Sequence, residues 1–193
     1  MCLYDSPREL AVLLLNPWPR IGPWVPAILV AIAAGGMDWR FRRIPNWLTV
    51  SGAALGIMVN TALFRWAGLK TSLQGMLLGL ALLLPFVLVR SLGAGDWKLA
   101  GALGASLGPG SLLGVLFASI LVAGVMALAV IVWKGRLKHT LVNIGRMLGA
   151  LFNLRMPGME VSLDNPESTK IPFGVAVAVA VVLYGIAAAM GKA

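Results

Sequence analysis

Residues 99–133 read LAGALGASLGPGSLLGVLFASILVAGVMALAVIVW and contain no Asp, Glu, Lys or Arg. A helix crossing the roughly 30 Å hydrocarbon core of a bilayer needs about 20 apolar residues. This run is too long for one crossing, and Gly108-Pro109-Gly110 divides it. Proline has no N–H to give a helix, and glycine imposes no conformation. Working outward, residues 21–37, 44–64, 71–89 and 171–191 are also free of charge. Each has the length of a single crossing. The expected fold is therefore all-α, a polytopic membrane protein of about six transmembrane helices forming one domain over residues 1–193.

Composition points the same way. The chain is 59% hydrophobic and 12% charged, with mean hydropathy +0.88, too little charge to cover a soluble domain of this size. A net charge of +9 raises nucleic acid as a partner, but the basic residues flank apolar spans. They form no solvated patch with interleaved aromatics, so lipid is the expected surrounding and nucleic acid is not. Cys2 is the sole cysteine, which excludes a disulfide framework and a cysteine metal site. Leu10–Leu15 is a short apolar run after Asp5 and Glu9. A cleavable signal peptide would carry a basic region there, so none is expected.

Flanking charges orient membrane proteins with Lys and Arg on the cytoplasmic side. Segments 38–47, 90–98 and 134–170 together carry eleven such residues: Arg40, Arg42, Arg43, Arg90, Lys98, Lys134, Arg136, Lys138, Arg146, Arg155 and Lys170. The opposite side receives five, Arg8, Arg20, Arg65, Lys70 and Lys192. This bias puts the first set in the cytoplasm and both termini outside. Within the last cytoplasmic loop, Leu137, Leu141, Ile144, Leu148 and Leu151 recur at helical spacing, with Arg136, His139, Asn143 and Arg146 on the other side. That pattern fits an interfacial amphipathic helix on the inner leaflet, or a helix packed on the rest of the protein. Gly52/Gly56, Gly75/Gly79 and Gly104/Gly108 stand four apart in apolar spans, where small residues let helix backbones approach.

Asp5, Glu9, Glu160, Asp164 and Glu167 lie in polar tails or loops. Asp38 and Asp96 do not. Asp38 ends the run from Ala33 to Met37, and Asp96 follows Gly93-Ala94-Gly95. Only about 16 Å of helix would separate Asp96 from the Gly-Pro-Gly turn. Either that turn is sunk below the outer surface or Asp96 lies below the inner one, and an ionisable group at such depth is a functional candidate. The structural alternatives are ion pairs, Asp38 with Arg40 or Arg42 and Asp96 with Lys98, or Asp96 as a helix N-cap.

Asp38-Trp39-Arg40-Phe41-Arg42-Arg43-Ile44-Pro45-Asn46-Trp47-Leu48-Thr49 resembles the first active-site motif of prepilin peptidases. Gly93-Ala94-Gly95-Asp96-Trp97-Lys98-Leu99, continued by Ala102-Leu103-Gly104, resembles their GxGD motif, and Lys170-Ile171-Pro172-Phe173-Gly174 a third, weaker feature. GxGD alone is a weak signal; joined to an upstream Asp with Ile-Pro-Asn, it is specific. The resemblance implies a membrane aspartyl protease of the bacterial inner membrane. It would remove the short basic leader from pilin or pseudopilin precursors at the cytoplasmic face, with the pilus assembly machinery as a candidate partner. Asp38 and Asp96 are the implied catalytic pair. Larger members carry a four-cysteine zinc region, and many also N-methylate the product. With one cysteine, this chain resembles the minimal, peptidase-only form of tight-adherence (Flp) pilus systems.

Two carboxylates brought together share a proton. The ionised one takes a proton from the attacking water, and the protonated one polarises the scissile carbonyl. The positive end of the helix beginning near Asp96 favours Asp96 as the anion. Gly93 and Gly95 suit a tight bend that admits an extended substrate strand. Pro45 drives Ile44 out of helical geometry, and Asn46 is placed to cap the next helix. Lys98 and Arg43 are candidate substrate contacts. This chemistry needs no cofactor, and two acids without a suitable histidine do not make a catalytic metal site. There are two rival readings. Gly104-Ala105-Ser106-Leu107-Gly108 matches a serine-hydrolase elbow but lacks the strand–turn–helix setting. A small ion-coupled transporter could use two buried carboxylates as proton sites.

Overall fold

The computed structural model describes residues 18–88, 92–135 and 172–190. The amphipathic segment 137–151, His139, and Lys170 and Ile171 of the third motif lie outside the described residues. Among the described residues every regular element is a helix: α1 Trp18–Ile21, α2 Trp24–Phe41, α3 Asn46–Leu88, α4 Ala94–Trp133 and α5 Phe173–Ala189. Three stretches are long and apolar enough to cross a membrane: Trp18–Phe41, Asn46–Leu88 and Ala94–Trp133. Their outer faces carry Leu29, Ile32, Met58, Leu77, Phe117, Ile120, Val125 and Leu128, all exposed. Water does not tolerate such a continuous apolar surface, whereas lipid does. The chain is an integral membrane protein.

Neither long helix is straight. Helix α3 departs from helical geometry at Arg65 (φ 54°, ψ −130°), a left-handed φ that strains a non-glycine residue. Asn60 Nδ2 donates to Ser72 Oγ at 2.9 Å, although twelve residues of unbroken helix would hold them about 18 Å apart. Helix α3 therefore doubles back at Arg65 and forms two antiparallel legs. Helix α4 breaks at Gly108 (φ 71°, ψ 176°), next to Pro109. Pro109 has no N–H for the carbonyl of Ala105, four residues earlier, and the change of direction at Gly108 disturbs the next bond. Asn60 Nδ2 takes over, donating to Ala105 O at 3.0 Å and to Ser106 O at 2.8 Å. Its two hydrogens are shared among three acceptors. A buried helix end inside an apolar bundle needs such a partner.

Helices α3 and α4 pack most extensively on each other, and α2 packs on α5. The small residues sit where those backbones meet. A Cβ on Gly75 would run into the backbone of Gly104, one on Gly56 into Ser106, and one on Gly79 would lie 2.6 Å from Ala100 O. Close approach of this kind is what the paired glycines permit. The apolar core joins Ala27, Ala31 and Ala34 of α2 to Leu99, Leu103 and Val115 of α4 and to Val177 and Val181 of α5. Their helical spacing turns one stripe of each helix inward. As a result, the C-terminal end of α2 and the N-terminal ends of α3, α4 and α5 meet at one end of the bundle.

Candidate active site

Asp38 lies in the last turn of α2, half-buried. The helix ends just beyond it, where Arg42 adopts a left-handed conformation (φ 52°) and its N–H closes on Asp38 O at 2.9 Å. Pro45 then keeps residues 43–45 out of helix, and α3 starts at Asn46. The carboxylate itself is held from another direction. The Gly174 N–H, in the first turn of α5, donates to Asp38 Oδ2 at 2.8 Å. A Cβ on Gly174 would lie 2.9 Å from Asp38 Cβ and 3.0 Å from Oδ2, so only glycine lets this amide come so near. The third motif thus serves the first, through a backbone donor.

Asp96 is also half-buried and sits in the first turn of α4. Gly93, not Asp96, occupies the N-cap position, in extended geometry (φ −68°, ψ 140°) and without a side-chain cap. The N-cap alternative for Asp96 is therefore set aside. Gly93 and Gly95 do not need left-handed backbone; what they provide is space. A Cβ on Gly93 would stand 3.2 Å from Asp96 Oδ2, and one on Gly95 3.2 Å from Ile44 Cβ. The GxGD turn thereby packs directly on the Ile-Pro-Asn turn.

A second tie joins the same two motifs. Lys98 Nζ donates to Asn46 Oδ1 at 2.9 Å, so the Asn46 side-chain oxygen is engaged across the site and does not cap its own helix. Lys98 is thereby committed to Asn46 and not to Asp96. Among the described residues, neither carboxylate has a Lys or Arg nitrogen within ion-pairing distance. Arg42 acts on Asp38 only through longer-range charge. The ion-pair readings of both aspartates lose their support.

Asp38 lies close enough to Asp96 for the charge of one to act on the other. Each carboxyl also faces the N-terminal turn of a helix, Asp96 on α4 and Asp38 against α5. The helix-end argument that singled out Asp96 as the anion therefore applies to both. Met37, Phe41, Arg43, Ile44, Pro45 and Asn46 line a cavity of about 430 Å³ at the turn between α2 and α3. An apolar groove of about 520 Å³ runs between α2 and α5, past Gly35, Gly36, Trp39 and Val175. Ser106 is buried, and its hydroxyl donates to Ala102 O one turn back in its own helix at 3.3 Å. It is far from the exposure a serine nucleophile needs.

Fold and site together define a helical integral membrane protein presenting two interacting carboxylates at one end of its bundle. Residues 25–128 match the model of the type IV leader peptidase family, more than half of the chain and both aspartate motifs, and the chain belongs to that family. It is a prepilin peptidase, of the aspartic type that this family represents. No curated protein and no solved structure gives a significant match.

Proposed function

We propose that Asp38 and Asp96 are the catalytic pair of an endopeptidase that removes the short basic leader from pilin or pseudopilin precursors. The observation that carries this reading is the packing of the GxGD turn on the turn that follows Asp38, which brings each carboxyl within range of the other's charge, with Asp38 held by the Gly174 amide. Two carboxyls that close on one scissile bond share one proton. The ionised member takes a proton from water as its oxygen attacks the scissile carbonyl carbon. The protonated member hydrogen-bonds the carbonyl oxygen and gives up its proton as the tetrahedral intermediate forms. On collapse the member that took the water proton gives it to the leaving nitrogen while the other recovers a proton from a hydroxyl of the intermediate, so the amine leaves and the pair returns to its one-proton state. The pair titrates as a unit, so the two roles belong to the dyad.

Gly93 leaves room beside Asp96 and Gly95 beside Ile44, Pro45 and Asn46 shape the turn after Asp38, and the Lys98–Asn46 bond fixes one motif against the other. In this reading the single domain covers residues 1–193 and crosses the inner membrane six times. Arg65 marks one of its turns, and Gly108 marks another sunk below the outer surface, where Asn60 caps it. The site faces the cytoplasm, where Arg40, Arg42, Arg43 and Lys98 cluster, and both termini lie outside. A proton-coupled transporter would use the two carboxylates but leaves the Lys98–Asn46 tie and the Gly174 donor without a role. With one cysteine the chain is a peptidase only.

The test is to incubate the purified protein with a pilin-like precursor and read the product by mass spectrometry. We expect a product lacking the leader and carrying a free N-terminal amine. An intact precursor would overturn the peptidase reading for that substrate class, and an N-methylated product the peptidase-only part.

A further inference from the structure

We propose that Trp97 is a positioning residue for the Asp96 carboxyl, acting through the hydrogen bond its indole makes to the second leg of α3. The proposal rests on the catalytic pair described above. Trp97 follows Asp96 directly and is half-buried. Its Nε1–H donates to Leu80 O at 2.7 Å, at the short end of the range for N–H···O bonds. Leu80 lies one turn before Pro85. Because Pro85 has no N–H, the helical bond it forfeits is the one to the carbonyl of Ala81, the residue after Leu80. Leu80 meets α4 a second time, since a Cβ on Gly101 would stand 2.8 Å from Leu80 Cδ2.

The turn carrying Asp96 needs this help. Its N-cap makes no side-chain bond, and its first backbone bond, Trp97 N–H to Gly93 O, is long at 3.3 Å. First turns held this way fray. Successive residues on a helix point about 100° apart, so Trp97 and Lys98 reach different neighbours. Trp97 grips the second leg of α3 at Leu80, and Lys98 grips the first leg at Asn46. Because α3 doubles back at Arg65, both legs are at hand. The two bonds fix the rotation of α4 about its axis where Asp96 projects, and hence the aim of its carboxyl toward Asp38. A displacement of about 1 Å in a reacting group can cost as much as a hundredfold in rate.

The test measures kcat and KM for precursor cleavage by the full chain in detergent, alongside its melting temperature. Trp97→Phe keeps an aromatic ring and removes the donor. Incorporating 3-benzothienylalanine at position 97 puts sulfur in place of the N–H and leaves the ring shape unchanged. We expect both variants to lower kcat about tenfold per folded molecule, with KM and melting temperature near wild type. Wild-type kcat in either folded variant overturns the proposal, as does a change confined to KM. If only Trp97→Phe fails to fold, the sulfur isostere decides. If neither folds, the bond holds the fold and not the carboxyl, and the proposal falls. Asp96→Asn separates the two layers. Cleavage by that variant defeats the aspartyl pair itself, whereas an inactive Asp96→Asn beside a fully active Trp97→Phe defeats only the role of Trp97.

Discussion

Replacing Gly174 with alanine asks whether the amide of α5 sets the position of Asp38. The added Cβ would lie 2.9 Å from Asp38 Cβ and 3.0 Å from Oδ2, whereas non-bonded carbons settle at about 3.5–4.0 Å. Asp38 or the start of α5 must therefore move by roughly 0.5–1 Å. That shift stretches the 2.8 Å bond from the Gly174 N–H to Oδ2. A hydrogen bond to a carboxylate is worth about 1.5–3 kcal/mol, which corresponds to roughly 10- to 100-fold in rate if it is realised in the transition state. The assay is the initial rate of precursor trimming by purified Gly174→Ala, normalised to monodisperse protein. A purely structural role for Gly174 forecasts something else, because alanine is the better helix former by about 1 kcal/mol. Cleavage by a well-folded Gly174→Ala at the wild-type rate would refute the claim that this amide positions Asp38.

Asn60→Ala should strand the carbonyls of Ala105 and Ser106 at the break in α4, destabilising the protein by about 1–3 kcal/mol. A lowered unfolding midpoint in detergent measures this, and an unchanged midpoint would contradict the capping role. For topology, a reporter fused after Lys192 should be active only if it works outside the cytoplasm, and one placed within 155–170 only if it works inside. The reverse pattern would put both aspartates on the wrong face for a leader that stays in the cytoplasm.

The class of fold was legible because lipid imposes a coarse rule: a charge-free stretch of about 20 residues shows plainly in sequence. The break at Gly108 was legible too, since Pro109 has a local consequence that no tertiary contact can remove. The fold-back at Arg65 showed only as the charged end of an apolar gap. Its left-handed backbone belongs to a residue with no preference for it, and the Asn60–Ser72 bond reveals it. The two aspartates stood out because carboxylates at membrane depth need a reason. Gly93, Gly95, Pro45, Asn46, Lys98 and Gly174 stood out beside them, but their partners did not. Pairings such as Gly174 with Asp38, Lys98 with Asn46 and Trp97 with Leu80 link residues 17 to 136 positions apart, and no periodicity signals them. Gly93 and Gly95 were identified for conformational freedom, yet their value is the closeness they allow to Asp96 and Ile44. Asn46 was expected to cap a helix, and its side chain bridges to another instead.

If Asp38 and Asp96 work as one unit, as proposed, a double-mutant comparison shows it. Cleavage of a pilin-like precursor is measured for Asp38→Asn, Asp96→Asn and the double variant, each purified and matched for folded protein. Asn preserves volume and polarity, so all three should insert and accumulate. A shared-proton pair requires both carboxyls, and groups acting as a unit are strongly non-additive. Each single variant should lose cleavage, and the double variant should be no worse than either. Near wild-type trimming by a well-folded Asp38→Asn or Asp96→Asn would contradict the account.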